Sequence, residues 1–366
     1  MKITRVDSWF IGIPYEHGAP KSSLPTAQGR TTQDAVYVRV ETDAGIVGWG
    51  EAFGFGACQM SHLAVQNVVA PMAIGRDPAG ISGLMTEMFR RTQNMSRNGP
   101  VTYALSGLDI ALWDIAGKVA GKPLHALLGP AGRQRVRAYA SLLRIGDARQ
   151  VHAVSTTARA RGYAHVKLHE RTLEAVAAAR DALGQNIALM VDTNCQWTVE
   201  QALEMARAFK HYNIAWLEEP IYPPDDFAGL AKLRREGGVP IAAGENLGNL
   251  MDFRHMLTME AVDVIQPDVA KMGGVSEMMK ALELARAMGA RVDPHSPLFG
   301  PALITTLHIL ASQPEEPLCE FYFADLEANP IGEWGAPHYG YFDVPQGPGL
   351  GVEVDESLLA RYRIGS

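Results

Sequence analysis

The chain has only three cysteines in 366 residues: Cys58, Cys195 and Cys319. They are odd in number, scattered and without C-x-x-C spacing, which excludes a disulfide framework or a zinc ribbon and reads as reduced thiols. A basic face is also lacking. The formal net charge is −7, and no basic run extends beyond pairs such as Arg234–Arg235, which argues against nucleic-acid and membrane-surface partners. No apolar run reaches membrane-spanning length, and the opening MKITRVDSWFIGIP is too short and too polar for a signal-peptide core. The expectation is a cytoplasmic globular protein, formed of one large domain or one large and one small.

Two regimes of patterning follow. In the first, AVYVRVETDAGIVGWGEA predicts a hairpin turning at TDAG, with Val38 and Val40 alternating with polar neighbours. Residues 15–33 are rich in Gly, Pro and Ser and predict a polar loop. Ala104, Leu108, Leu112, Ile115 and Val119 form one apolar stripe at helical period. Residues 1–125 therefore predict an α+β unit with antiparallel strands.

After Gly129–Pro130 the pattern cycles. Eight short apolar runs begin near Ala138, Ala164, Ile187, Ile214, Pro240, Val262, Ala290 and Pro317, about 22 to 28 residues apart. Seven amphipathic stretches separate them. One starts at Thr198 with a capping box closed by Gln201, and another, LEAVAAARDAL, stops at Gly184. Buried strands alternating with helices at this period predict a (β/α) barrel over 126–320. The loop-rich residues 321–366 predict a tail that returns to the first unit.

In such a barrel, chemistry gathers where strands end. Those ends read Lys167 and His169, Asp192 and Asn194, Glu218 and Glu219, Glu245, Asp268 with Lys271, His295, and Glu320. Asp192, Glu218 and Glu245 lie one βα unit apart each, so they come from three neighbouring strands. Three converging carboxylates repel unless a cation neutralises them, and hard oxygen ligands favour Mg²⁺. Asp268 sits one unit before His295, where it could hold one imidazole nitrogen and raise its basicity. Lys167 and His169, two apart on a strand, face one side.

These residues in this order resemble the enolase superfamily, specifically the mandelate racemase-like subgroup of its mandelate racemase/muconate lactonizing enzyme family. The strings that carry the resemblance are ETDAGIVGWGEA and DIALWDIAGKVAGKPLHALLG, then MVDTNCQW, WLEEP, AAGEN, QPDVAKMGG and DPHSP. It implies a modified TIM barrel, (β/α)₇β, under an N-terminal α+β capping domain whose loops cover the site. Asp192, Glu218 and Glu245 match the Mg²⁺ ligands, and Asp268 with His295 matches an acid–base dyad. Glu320 matches the glutamate that hydrogen-bonds the substrate carboxylate. Lys167 matches the first lysine of a K-x-K pair whose second lysine is here His169. Lys167 should favour the neutral form of His169 that a base requires. Lys271 is read as secondary, Glu219 as structural or outer, and Asn194 as orienting substrate or a metal-bound water.

The implied chemistry is Mg²⁺-dependent removal of the proton α to a carboxylate, giving an enediolate. A polar lid bearing His17, Lys21, Ser22, Ser23 and Arg30 suits a hydroxylated acid, so the expectation is an acid-sugar dehydratase. Racemisation, epimerisation or cycloisomerisation of a related acid or lactone is the alternative, and a non-catalytic binding homologue a remote one. The partner expected is a small-molecule carboxylate, on a homo-oligomer.

Overall fold

The computed structural model describes residues 1–19 and 31–365. Three antiparallel strands open the chain: β1 (Ile3–Glu16), β2 (Thr32–Thr42) and β3 (Val47–Ala52). The β2–β3 hairpin turns at Asp43–Gly45, as the TDAG string predicts, with Gly45 at φ 74°. Within the polar segment 15–33, Tyr15 and Glu16 extend β1 and Thr32 and Gln33 begin β2. Lys21, Ser22, Ser23 and Arg30 lie outside the described residues.

Helices α1 (Cys58–Ala64), α2 (Ala70–Ala73), α3 (Ile81–Arg91) and α4 (Pro100–Ala120) cover one face of this sheet. Proline starts α4 where its missing N–H costs nothing, and Gly121 in left-handed conformation ends it. The apolar stripe falls on α4, with Ala104, Leu108, Leu112 and Ile115 all buried. Its end at Val119 is 58% exposed, because the last turn clears the sheet. The helix approaches β3 so closely that only glycine fits. A Cβ on Gly50 would lie 1.9 Å from the Gly107 carbonyl oxygen, and one on Gly48 2.2 Å from that of Ala111.

A short α5 (His125–Leu128) leads into eight parallel strands. They are β4 (Arg135–Ser141), β5 (His165–Leu168), β6 (Ala188–Asp192), β7 (Ile214–Glu218), β8 (Ile241–Ala243), β9 (Val264–Ile265), β10 (Arg291–Val292) and β11 (Cys319–Tyr322). Each coincides with one of the eight apolar runs. They curl in the order β10-β9-β8-β7-β6-β5-β4-β11, and the remaining gap is bridged by Asp293, whose Oδ1 accepts from Leu318 N at 2.7 Å. Tyr139, Met190, Trp216, Ala242, Val264 and Leu318 pack inside the curl and fill its centre.

Seven helices connect the strands: α6 (Ala148–Ala160), α7 (Leu173–Leu183), α8 (Val199–Phe209), α9 (Phe227–Glu236), α10 (Leu250–Thr258), α11 (Gly274–Ala287) and α12 (Pro301–Ser312). Asp147, Thr172, Thr198, Asp226 and Asn249 cap the first five, and Thr198 with Gln201 forms the full capping box. The architecture is therefore a (β/α)₇β barrel with an antiparallel α+β cap. No described helix is long and apolar enough to cross a membrane.

Cap and barrel share their helix ends. Glu51 at the end of β3 accepts from Ala302 N at 3.0 Å and so caps α12 from outside it. Asp109 on α4 accepts from both the backbone and the hydroxyl of Ser276 on α11. Beyond β11 the chain returns: β12 (Asp325–Leu326) pairs with β1, β13 (Tyr341–Asp343) with β4, and α13 (Glu356–Arg361) follows.

The close approach of β3 and α4 makes a stability prediction. Gly50→Ala is expected to lower stability by about 1–3 kcal/mol through overpacking. Gly83→Ala, in open space on α3, is expected to raise it by up to about 1 kcal/mol. Denaturant midpoints of the two variants against the parent check the opposite signs.

Candidate active site

The strand ends bring the expected residues to one cavity of about 390 Å³ under the cap. His169, Asn194, Glu245, Lys271, His295 and Glu320 line it. Lys167, Asp192, Glu218 and Asp268 lie buried behind that lining.

At the centre is a lysine with no solvent exposure. Lys167 Nζ reaches Glu218 Oε1 at 2.5 Å, Glu320 Oε1 at 3.0 Å and Asp192 Oδ2 at 3.6 Å. Burial works against its charge, but Glu218, Glu320, Tyr139 and Asp192 together raise its pKa well above the ordinary lysine value. Three carboxylates hold one ammonium, and the surplus is negative.

Asp192, Glu218 and Glu245 each offer a carboxylate oxygen within 4.8 Å of the others. Asp192 Oδ1 accepts from Asn194 N at 2.9 Å, while the buried Oδ2 faces His169 Nε2 at 3.1 Å and Lys167 Nζ at 3.6 Å. Glu218 Oε2 accepts from Trp216 Nε1 at 2.8 Å. Burial above all, then Asp192, Glu320 and Glu245, push Glu218 up to about 8 against the pull of Lys167. A triad of converging carboxylates with one acid driven towards protonation fits a divalent cation of the oxygen-preferring kind.

Both histidines lean on this triad. His169 donates from Nδ1 to the Leu142 carbonyl oxygen at 2.7 Å, leaving Nε2 3.1 Å from Asp192 Oδ2. His295 directs Nδ1 to Asp268 Oδ2 at 2.7 Å and Nε2 to Glu245 Oε2 at 2.9 Å. Asp268 is itself oriented by Ala270 N on Oδ1 at 2.8 Å. Burial lowers His295, but Glu245, Asp268 and Glu320 outweigh it and carry it up to about 10. Burial likewise lowers His169, yet Asp192 leaves its pKa raised. Lys167 pushes His169 towards neutrality, as its charge predicts, and is outweighed by a carboxylate in direct contact. The sequence expectation weighed Lys167 and not this contact with Asp192.

The remaining acids have distinct environments. Burial would raise Glu320, but Lys167, His295 and the Ser296 N–H hold it at about 2. It is therefore an anion here and accepts hydrogen bonds. Glu245 is lowered despite burial, chiefly by His295. Glu219 accepts from Gly244 N at 2.9 Å and stays behind the cavity, steadying the residue before Glu245. Lys271 places Nζ 4.7 Å from the centre of the Phe53 ring.

Sequence reasoning missed Arg144, Arg171, Phe53, Phe55 and Tyr322, which also line the cavity. The two arginines sit within three residues of a strand end, the same signal that picked out the others. The aromatic residues make the cap side less polar than its loop composition predicts. His17, assigned to a polar lid, is buried, and neither ring nitrogen has a hydrogen-bond partner among the described residues.

Known proteins share this layout. Residues 149–358 match the enolase C-terminal domain-like family, and residues 18–129 the N-terminal domain of mandelate racemase/muconate lactonizing enzymes. The chain is 33% identical over 353 residues to a D-galactarolactone cycloisomerase of Agrobacterium fabrum, covering 90% of this chain and 91% of the relative. It is 32% identical over 345 residues to an arabinonate dehydratase of Saccharolobus solfataricus, covering 91% of each. Among solved structures, a racemase from Streptomyces coelicolor A3(2) with bound magnesium superposes with a TM-score of 0.85 at 29% identity, over 99% of this chain and 100% of that one. With both domains matched in order and the acid triad at the strand ends, the chain belongs to the mandelate racemase/muconate lactonizing enzyme family of the enolase superfamily.

Proposed function

We propose that this chain is a Mg²⁺-dependent acid-sugar dehydratase. The observation that carries the reading is the pair of histidines whose Nε2 atoms face the acid triad from its two flanks, at Asp192 and at Glu245. One cavity thus offers two proton-transfer groups and an anion-stabilising centre. We divide the chain functionally into a capping unit (1–125), the catalytic barrel (126–320) and a tail (321–366) that ties back to the cap.

Asp192, Glu218 and Glu245 would hold the cation, which when bound supplies a Lewis acid for the negative charge developing on the substrate carboxylate. Lys167 adds a fixed positive charge beside that carboxylate, and Glu320 lies opposite it. A substrate carboxylate next to Glu320 raises that acid through like charge, so that it takes up a proton from solvent on binding and donates a hydrogen bond as the enediolate forms. Asn194 and Lys271 border the remaining substrate and orient it.

His169 takes the α-proton at Nε2, since its Nδ1–H is committed to the Leu142 carbonyl. With Asp192 committed to holding the cation, its carboxylate would favour the imidazolium of His169 less, and His169 would be the freer base. The resulting enediolate expels the β-hydroxyl. His295, its imidazolium stabilised by Asp268, donates the proton with which that group leaves as water. The enol then tautomerises to a 2-keto-3-deoxy acid. Cycloisomerisation is the second reading, favoured by the similarity to the D-galactarolactone cycloisomerase. It uses the same proton removal, with a ring oxygen as the leaving group.

The primary test is an acid-sugar library with Mg²⁺ in D₂O, followed by NMR. The expected product is a 2-keto-3-deoxy acid, and its absence across a broad library would overturn the dehydratase reading. Opening of lactone or anhydro substrates alone would select the second. Chelation with EDTA is expected to abolish turnover and Mg²⁺ to restore it. Glu218→Gln is expected to lower kcat/KM by at least about 100-fold.

The two histidines are separable in the same assay. His169→Ala is expected to lose α-proton exchange, and His295→Ala to keep exchange while losing dehydration. Each loss is expected to be about 10²–10⁴-fold, the range for a positioned acid or base. The reverse pattern would exchange their roles.

A further inference from the structure

Two arginines stand in the cavity wall with nothing to bind. Arg144 follows β4 and Arg171 follows β5, so they come from adjacent strand ends. Neither guanidinium has a hydrogen-bond or ion-pair partner among the described residues, and Arg171 Nε is enclosed from solvent without one. Partial burial, and after it the charge of Arg144, hold the Arg171 pKa below its ordinary value. Two like charges are thus brought together in a half-buried wall.

The arrangement is built by Glu170, the residue between His169 and Arg171. Its side chain is buried, and its carboxylate accepts from Ile145 N at 2.7 Å and Gly146 N at 3.1 Å. That clamp locks the loop after β4 against the loop after β5. It fixes the backbone beside both arginines, while the Glu170 carboxylate is spent on backbone amides. Cationic forks in a cavity wall, with no protein acid in contact with either among the described residues, are an anion-binding arrangement.

The reacting carboxylate already has its place beside Lys167, the acid triad and Glu320. A second anion must therefore belong to the far end of the same molecule. Guanidinium planes match a carboxylate in bidentate fashion, and a cavity of about 390 Å³ has room for a short hydroxylated chain. We infer that Arg144 and Arg171 bind the distal carboxylate of a dicarboxylic acid sugar, which makes aldarates the preferred substrates over aldonates. The inference rests on the acid-sugar reading above.

The test compares aldarates, the corresponding aldonates and 6-phosphoaldonates on the Mg²⁺-loaded full chain. The expected kcat/KM for the aldarate exceeds that for its aldonate by at least about tenfold, one charge-assisted hydrogen bond's worth. Arg144→Gln and Arg171→Gln are each expected to shrink that ratio by at least about tenfold, mainly through KM, because the contact is remote from the reacting carbon. A ratio near one, unmoved in both variants, overturns the inference and leaves the dehydratase reading standing. Preference for phosphoaldonates overturns the carboxylate assignment.

A second measurement needs no variant and no turnover. Adipate and hexanoate have equal chain length and differ in the second carboxylate. Binding of adipate to the wild-type protein at least about tenfold tighter than hexanoate supports the subsite, and equal binding overturns it. Should no acid sugar exchange or react, the functional reading fails, while this comparison still decides the anion site.

Discussion

The constraint on which the site depends is negative charge packed where solvent cannot relieve it. Asp192, Glu218, Glu245, Asp268 and Glu320 all project at one end of the barrel, four of them almost wholly buried. Lys167 is the internal answer. Its stem passes by the Tyr139 ring, 5.5 Å from Nζ, and its ammonium meets three acids at once. Burying a lysine is tolerable only with such company. The same crowding leaves the triad with more negative charge than Lys167 balances, which suits a cation. Metal affinity and folded-state electrostatics are two sides of one surplus.

In the proposed reaction the two histidines divide acid and base between them. Each has Nδ1 occupied and Nε2 turned inward, so each acts through Nε2. The difference lies behind the ring. A backbone carbonyl supports His169 and a carboxylate supports His295, so the imidazolium is the more strongly stabilised at His295. Groups whose surroundings push them apart in basicity divide naturally into base and acid.

Much of this was legible in the sequence because parallel strands are buried on both faces and appear as unbroken apolar runs. Their ends could therefore be located, and with them Lys167, Asp192, Glu218, Glu245, Asp268, His295 and Glu320. The capping box at Thr198 was equally visible, since it is written within four residues. Arg144 and Glu170 were harder. Loop residues carry no period, and the partners of Glu170 are amides, which sequence letters do not mark. Nor does composition foretell that Asp293 would bridge β10 and β11, where the two-residue β10 leaves too few backbone bonds to close the curl. The aromatic lining from Phe53 and Phe55 was hidden because the lid was judged from a different loop.

Asp114 carries a consequence of another kind. This buried cap residue accepts from Trp49 N on β3, from Leu350 N in the tail and from Lys118 Nζ on its own helix. Sheet, helix and tail therefore meet on one carboxylate. During synthesis the cap residues leave the ribosome first, yet more than 200 residues must follow before Leu350 can reach its acceptor. Until then one oxygen of Asp114 waits in a half-made core. The nascent cap is thus an unfinished unit that the barrel and tail complete, and the chamber closes over its chemistry only as the chain's two regions join.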